Sequence, residues 1–206
     1  MIVCIEGLIG VGKSTLCEAL DGEKFYEPVD SNPFLERYYV DPKRWAYAMQ
    51  VNLLAERFFM FQQAQWTKGD CILDRSYYGD YAFAIVQKQQ GMMTDDEFNS
   101  YKKMHRIHQR YLGFPDLIIR LMLPLEDEIK RIQKRGRGCE KGIDPSYLMA
   151  LDAAYNDLFD ELREECTVCE IDASQSVDDV VREAKAAIQR VKDTFISDKY
   201  PRYKRV

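Results

Sequence analysis

Along the chain, short runs of apolar residues alternate with longer stretches in which apolar positions recur at helical spacing. Ile2-Val3-Cys4-Ile5 breaks at Gly7, Cys71-Ile72-Leu73 precedes Asp74, Leu117-Ile118-Ile119 follows Pro115-Asp116, and Thr167-Val168-Cys169-Glu170-Ile171 lies late. Runs with little polar alternation fit strands covered on both faces. Lys24-Phe25-Tyr26 supplies a fifth strand that ends at Glu27. Strands separated by helical stretches predict an α/β fold with a parallel five-stranded sheet flanked by helices.

The helical stretches have boundaries of their own. From Pro42 to Gln65 breakers are few, and Trp45, Met49, Leu53 and Phe59 stand at helical spacings, which predicts one long helix. A second helix is expected after Asp80. Thr94-Asp95-Asp96-Glu97 reads as a capping box opening a helix to about Leu112, where Gly113 and Pro115 stop it. Pro145 opens another, to about Glu164, and Ser176 to Lys192 forms the last. No linker, repeat or low-complexity block divides the chain, so one domain is expected over 1–206, with a basic tail at about 197–206.

Composition narrows the functions. The 206 residues are 46% hydrophobic, enough for a full core, and 34 acids against 29 bases give a net charge of −5. That balance argues against long nucleic acid as the main partner. No apolar run is long enough to span a bilayer, and the start meets Glu6 too soon for a signal peptide, so a soluble cytoplasmic protein is expected. The six cysteines fit reduced thiols; Cys166 and Cys169 form a C-x-x-C without a second pair at metal-site spacing.

The chemistry begins at Gly7-Leu8-Ile9-Gly10-Val11-Gly12-Lys13-Ser14, which fits G-x-x-x-x-G-K-[ST] between a strand and a helix, the context a phosphate-binding loop requires. Its backbone N–H groups can turn inward around a phosphate, Lys13 reaches the β and γ phosphates, and Ser14 offers a hydroxyl to Mg²⁺. Asp74, at a strand end, is the candidate second metal ligand. No N-K-x-D is present to read guanine as a GTPase would, which leaves an ATP-driven motor or a kinase.

A kinase needs an acceptor site. Glu27, at a strand's carboxyl end, is placed to accept a proton from a hydroxyl as the γ-phosphoryl moves, and Arg75 in Asp74-Arg75-Ser76 ends another strand at the same sheet edge. Gln50 and Arg57 lie seven residues apart, on one face of the long helix. Arg131, Arg135 and Arg137 run from a basic helix end into a glycine-softened loop, a candidate lid over polyphosphate at about 131–142. Tyr77, Tyr78, Phe83 and Met49 are equally candidates for the core or for sandwiching a base.

In order, the loop Gly7 to Thr15, the Glu27-Pro28-Val29 box, Tyr39-x-x-Pro42-x-x-Trp45 leading to Gln50 and Arg57, Asp74-Arg75-Ser76 with Asp80, and Arg131/Arg135/Arg137 with Glu140 and Tyr147 resemble the deoxycytidine, deoxyguanosine and deoxyadenosine kinase family of deoxynucleoside kinases. The resemblance implies a P-loop NTPase-type fold with an arginine-rich lid and transfer of the γ-phosphoryl of ATP, with Mg²⁺, to the 5′-hydroxyl of a deoxynucleoside. It makes Glu27 the general base with Arg75 beside it. Tyr39 and Glu140 would hold the sugar 3′-hydroxyl, and Tyr147 and Met49 would line the substrate site. Gln50 would bond the base, and Arg57 with Asp80 would complete its recognition. The Asp172-Ala173-Ser174-Gln175 segment would lie along the ATP adenine. A homodimer is implied, with the long helix and the one after Asp80 as contact elements.

Asp74-Arg75-Ser76, in place of the Glu-Arg-Ser of animal members, and the run Glu27 to Pro33 look closer to bacterial and phage-type purine deoxynucleoside kinases. Ala84 stands where animal members place an aromatic, with Phe83 one position early. The Arg57 and Asp80 pair resembles that of the deoxycytidine and purine branches, which thymidine-preferring members lack; the resemblance implies a purine deoxynucleoside, with deoxycytidine open because the same pair serves either ring. Two other readings stay open: a thymidylate-type monophosphate kinase, against which Ser76 and the Glu27 box weigh, and a catalytically silent nucleotide-binding protein.

Overall fold

The computed structural model describes residues 1–26, 32–135 and 143–196. Five strands, β1 (Ile2–Glu6), β2 (Glu23–Phe25), β3 (Cys71–Asp74), β4 (Leu117–Met122) and β5 (Val168–Asp172), form one sheet in the order β2-β3-β1-β4-β5. Every pairing is parallel: Ile5 lies opposite Asp74 on one side and Ile119 on the other. The expected sheet is therefore present, and β1 sits at its centre, where the chain order reverses and open α/β sheets bind ligands.

Alternation along the strands divides the core. Val3 and Ile5 of β1, with Leu117 and Ile119, pack towards α1 (Lys13–Ala19) and α8 (Val177–Ile196). Cys4, Leu73 and Ile118 face the opposite way, against α3 (Pro42–Trp66), α4 (Tyr77–Gln89), α5 (Asp95–Leu112) and α7 (Pro145–Leu162). Two further helices, α2 (Leu35–Val40) and α6 (Leu125–Arg135), flank the carboxyl edge of the sheet.

The helix ends follow local chemistry. Asp41 caps α3, accepting from the Arg44 N–H, with Pro42 in the first turn. The capping box at α5 is formed in both directions, between Thr94 and Glu97. Two features depart from the expected elements. α4 starts at Tyr77, because the Ser76 hydroxyl accepts from the Tyr78 N–H and caps it there, so Asp80 lies in its first turn. α2 was not foreseen; its six residues are too few for a periodic pattern.

Candidate active site

The phosphate loop connects β1 to α1, and its glycines are required by its shape. A Cβ on Gly7, where φ is +140°, would lie 2.7 Å from the Leu121 carbonyl oxygen, and Gly12 turns the chain into α1 at φ +112°. The Lys13 ammonium folds back over the loop, donating to the carbonyls of Gly7 (3.2 Å) and Leu8 (2.8 Å). Ile9, Gly10, Gly12, Lys13, Ser14 and Thr15 line a cavity of about 600 Å³, while Leu8 and Val11 are buried in the core beneath it.

Beside the loop, the Ser14 hydroxyl donates to Asp74 Oδ2 at 2.6 Å, and the buried Asp74 Oδ1 has no partner. A hydroxyl and a carboxylate with one oxygen to spare fit a Mg²⁺ that takes its remaining ligands from phosphate and water. Among the described residues no cluster of three His, Cys, Asp or Glu is placed to hold a metal ion.

Arg75 is held by an acid that the sequence did not single out. Glu6, fully buried at the end of β1, accepts from the Ser76 N–H (2.7 Å) and hydroxyl (2.6 Å) through Oε1, and from the Tyr155 hydroxyl through Oε2 at 3.2 Å. The Arg75 guanidinium lies 3.7 Å from Glu6 Oε2, donates to the Tyr155 hydroxyl, and covers the Phe83 ring at 4.9 Å. Arg75 is the non-glycine residue with positive φ (+70°) among the described residues, a backbone strain of the kind found at functional sites. A Cβ at Gly79 would overlap Glu6 and Tyr155, so glycine there lets α4 approach them. The sequence signal was available: an acid at the end of an apolar strand, directly before the loop's first glycine.

The far wall of the cavity is polar and buried. Gln50 and Arg57 come from one face of α3, as their spacing predicts, and Asp80 from α4 pairs with Arg57 and accepts from the Tyr101 hydroxyl at 2.5 Å. Gln50 donates to the Asp80 carbonyl at 3.1 Å and accepts from Gln87 at 3.2 Å. Met49, Phe83, Tyr39 and Tyr147 also line the cavity. Burial together with the neighbouring Tyr38 and Tyr39 raises the Tyr147 phenol pKa, which keeps it a neutral donor. Tyr77 and Tyr78 belong to the core, with both hydroxyls donating to the Gly113 carbonyl.

At the phosphate end, Arg131 lines the cavity from the last turns of α6 and donates to the Val11 carbonyl (3.0 Å) and the Ala173 carbonyl (2.8 Å). It thereby ties the phosphate loop to the segment after β5. Asp172 is exposed outside the cavity lining, and its carboxylate accepts from the Ser174 N–H at 2.8 Å. Glu27, Arg137, Glu140 and the side chain of Arg135 lie outside the described residues.

A second unforeseen acid, Glu128, lies in α6 just under the loop, 1% exposed, with Oε2 unpartnered. Burial, and then the charge of Asp152, push its carboxyl up to about 8 against the opposing charges of Lys13, Arg131 and Arg120. The folded chain therefore keeps a proton that the unfolded chain releases above its ordinary value of 4.5, and stability falls as pH rises from there to about 8. Glu128→Gln is expected to change the melting temperature little at pH 5 and to raise it at pH 8 by roughly 5 °C, at about 2–4 °C per kcal/mol for a chain of this size. Melting curves across that pH range check it; an advantage that does not grow with pH would mean that Glu128 ionises freely.

Residues 3–197 match the family described as deoxynucleoside kinase. A deoxyadenosine kinase of Dictyostelium discoideum is 34% identical over 180 residues, 85% of this chain and 74% of that protein. A deoxyguanosine kinase of Lactobacillus acidophilus is 36% identical over 149 residues, 68% of this chain and 65% of that protein. A solved deoxyadenosine kinase from M. mycoides, with dCMP and a flexible dCDP bound, superposes with a TM-score of 0.83 at 27% identity, covering 92% of this chain and 100% of that one. The matched span contains the phosphate loop, Arg75 and Gln50, and the chain belongs to the deoxynucleoside kinase family.

Proposed function

We propose that this kinase moves the γ-phosphoryl of ATP, with Mg²⁺, onto the 5′-hydroxyl of a purine deoxynucleoside. One observation carries the reading: a single cavity joins Lys13 and Ser14 at one end to Gln50, Arg57 and Asp80 at the other, with Arg75 on its wall between them. Polyphosphate and nucleoside would then lie end to end, and chemistry of this kind rests mainly on positioning and electrostatics. The deoxyadenosine and deoxyguanosine kinases among its relatives support the purine. The dCMP in the M. mycoides structure keeps deoxycytidine as a second substrate.

In this mechanism Lys13 and the loop hold the β and γ phosphates, and Ser14 and Asp74 hold Mg²⁺, which when bound neutralises phosphate charge. Arg75, oriented by Glu6 and Tyr155, meets the charge that develops on the moving phosphoryl. Glu27 takes the proton of the 5′-hydroxyl, Tyr39 and Glu140 hold the 3′-hydroxyl, and Arg131, Arg135 and Arg137 close over the phosphates. Glu27→Gln removes the proton acceptor and keeps the shape, so turnover is expected to fall by roughly 100-fold with nucleotide binding retained. Initial rates with nucleotide binding measured in parallel check this, and a near-normal rate removes Glu27 from the mechanism.

We infer a homodimer through the outer face of α3 and α5, where Phe59, Trp66, Ile107 and Tyr111 are each more than half exposed. Among the described residues no helix is long and apolar enough to cross a membrane.

A further inference from the structure

Gln87 was not foreseen as part of the site, yet it lines the cavity, is 1% exposed, and touches Gln50. Its role follows from a chain of fixed polarities. A backbone carbonyl only accepts, so the Asp80 carbonyl obliges Gln50 to present Nε2 to it, at 3.1 Å. Gln50 Oε1 then faces Gln87, which must answer with its own Nε2, at 3.2 Å. Reversing the Gln50 amide would set oxygen against oxygen at Asp80 and nitrogen against nitrogen at Gln87. The Gln87 Oε1 that remains is buried without a partner, an arrangement that costs free energy until a donor meets it.

A glutamine that turns freely reads two kinds of base edge equally well. Adenine and cytosine place an exocyclic amino donor beside a ring-nitrogen acceptor; their keto counterparts place a carbonyl acceptor beside a ring N–H, the same pair in reversed order. With the sugar fixed at the phosphate end, a locked amide matches only one order. Here two oxygens, Gln50 Oε1 with its remaining lone pair and the unpartnered Gln87 Oε1, belong to adjoining side chains. Two neighbouring acceptors suit a group with two hydrogens, which is an amino group.

We propose that Gln87 is a specificity-determining residue for the base: beside the Gln50 amide, which the Asp80 carbonyl orients, it adds a second acceptor, and the pair of oxygens sets the cavity to take bases with an exocyclic amino group over their keto counterparts. The proposal rests on the nucleoside-kinase reading and narrows its substrate class. Arg57 and Asp80 line the same end of the cavity, and Gln87 supplies the second acceptor beside Gln50.

The test compares deoxyadenosine with deoxyinosine and deoxycytidine with deoxyuridine, each pair differing at that edge, by kcat/KM and by calorimetric Kd, in the wild-type chain and in Gln87→Met. The wild-type protein is expected to favour the amino member of each pair at least about tenfold, and Gln87→Met to reduce that ratio about tenfold. The KM for deoxyadenosine should rise while the KM for ATP stays within about twofold, a split that general loosening of the fold would not give. Should Gln87→Met fail to fold, Gln87→Asn, whose amide is too short to reach Gln50, is scored in the same way. An unchanged ratio overturns the role of Gln87, and a wild-type preference for deoxyinosine overturns the amino assignment. Nucleoside binding without turnover would count against the kinase reading alone, because the Kd ratios still decide the role of Gln87.

Discussion

Replacing Lys13 with alanine is expected to lower kcat/KM by roughly 1,000-fold, the size of effect seen when one preorganised donor to a developing charge is lost. Lys13 is only 7% exposed, and the Gly7 and Leu8 carbonyls already hold its ammonium at 3.2 and 2.8 Å, so little reorganisation remains when phosphate arrives. Lys13→Arg should do little better, because a planar fork does not replace a compact ammonium between two carbonyls. The fold should survive, since the loop's shape comes from its glycines and from the Arg131 tie to Val11. Initial rates alongside a melting curve check both halves; a loss of less than about tenfold would remove Lys13 from phosphoryl transfer.

The second large effect is on stability. Asp80→Ala leaves the Arg57 charge, 2% exposed, without its carboxylate and takes the acceptor from the Tyr101 hydroxyl. Breaking a buried ion pair from one side costs about 3–5 kcal/mol, so the melting temperature should fall by roughly 10 °C. The double change Arg57→Met with Asp80→Leu removes both charges and should melt close to the wild type, while its preference among bases shifts. Thermal melting of the single and double variants is decisive: if Asp80→Ala melts within about 2 °C of wild type, Asp80 is not what compensates the buried Arg57 charge.

The sheet was legible because buried parallel strands leave plain apolar runs, and four of the five strands do so. The phosphate loop and the α5 capping box were legible because each is a local pattern whose chemistry is contained in a few consecutive residues. Gln50 and Arg57 followed from helical spacing alone. Glu6, Gln87 and Glu128 did not, because what gives each its role is burial against residues far away in sequence: Ser76 and Tyr155 for Glu6, Gln50 for Gln87, Asp152 and Lys13 for Glu128. Tyr77 and Tyr78 show the reverse. Their aromatic character suited a base pocket equally well, and only the Gly113 carbonyl that both hydroxyls meet assigns them to the core.

The central claim is that phosphate travels from ATP to a nucleoside hydroxyl. The most direct measurement is ATP consumption by the purified protein with Mg²⁺ against deoxyadenosine, deoxyguanosine, deoxycytidine, thymidine and their 5′-monophosphates in parallel. Turnover with a purine deoxynucleoside well above every monophosphate, and above thymidine, is the predicted result. Turnover confined to a monophosphate, or none with any acceptor, would contradict it.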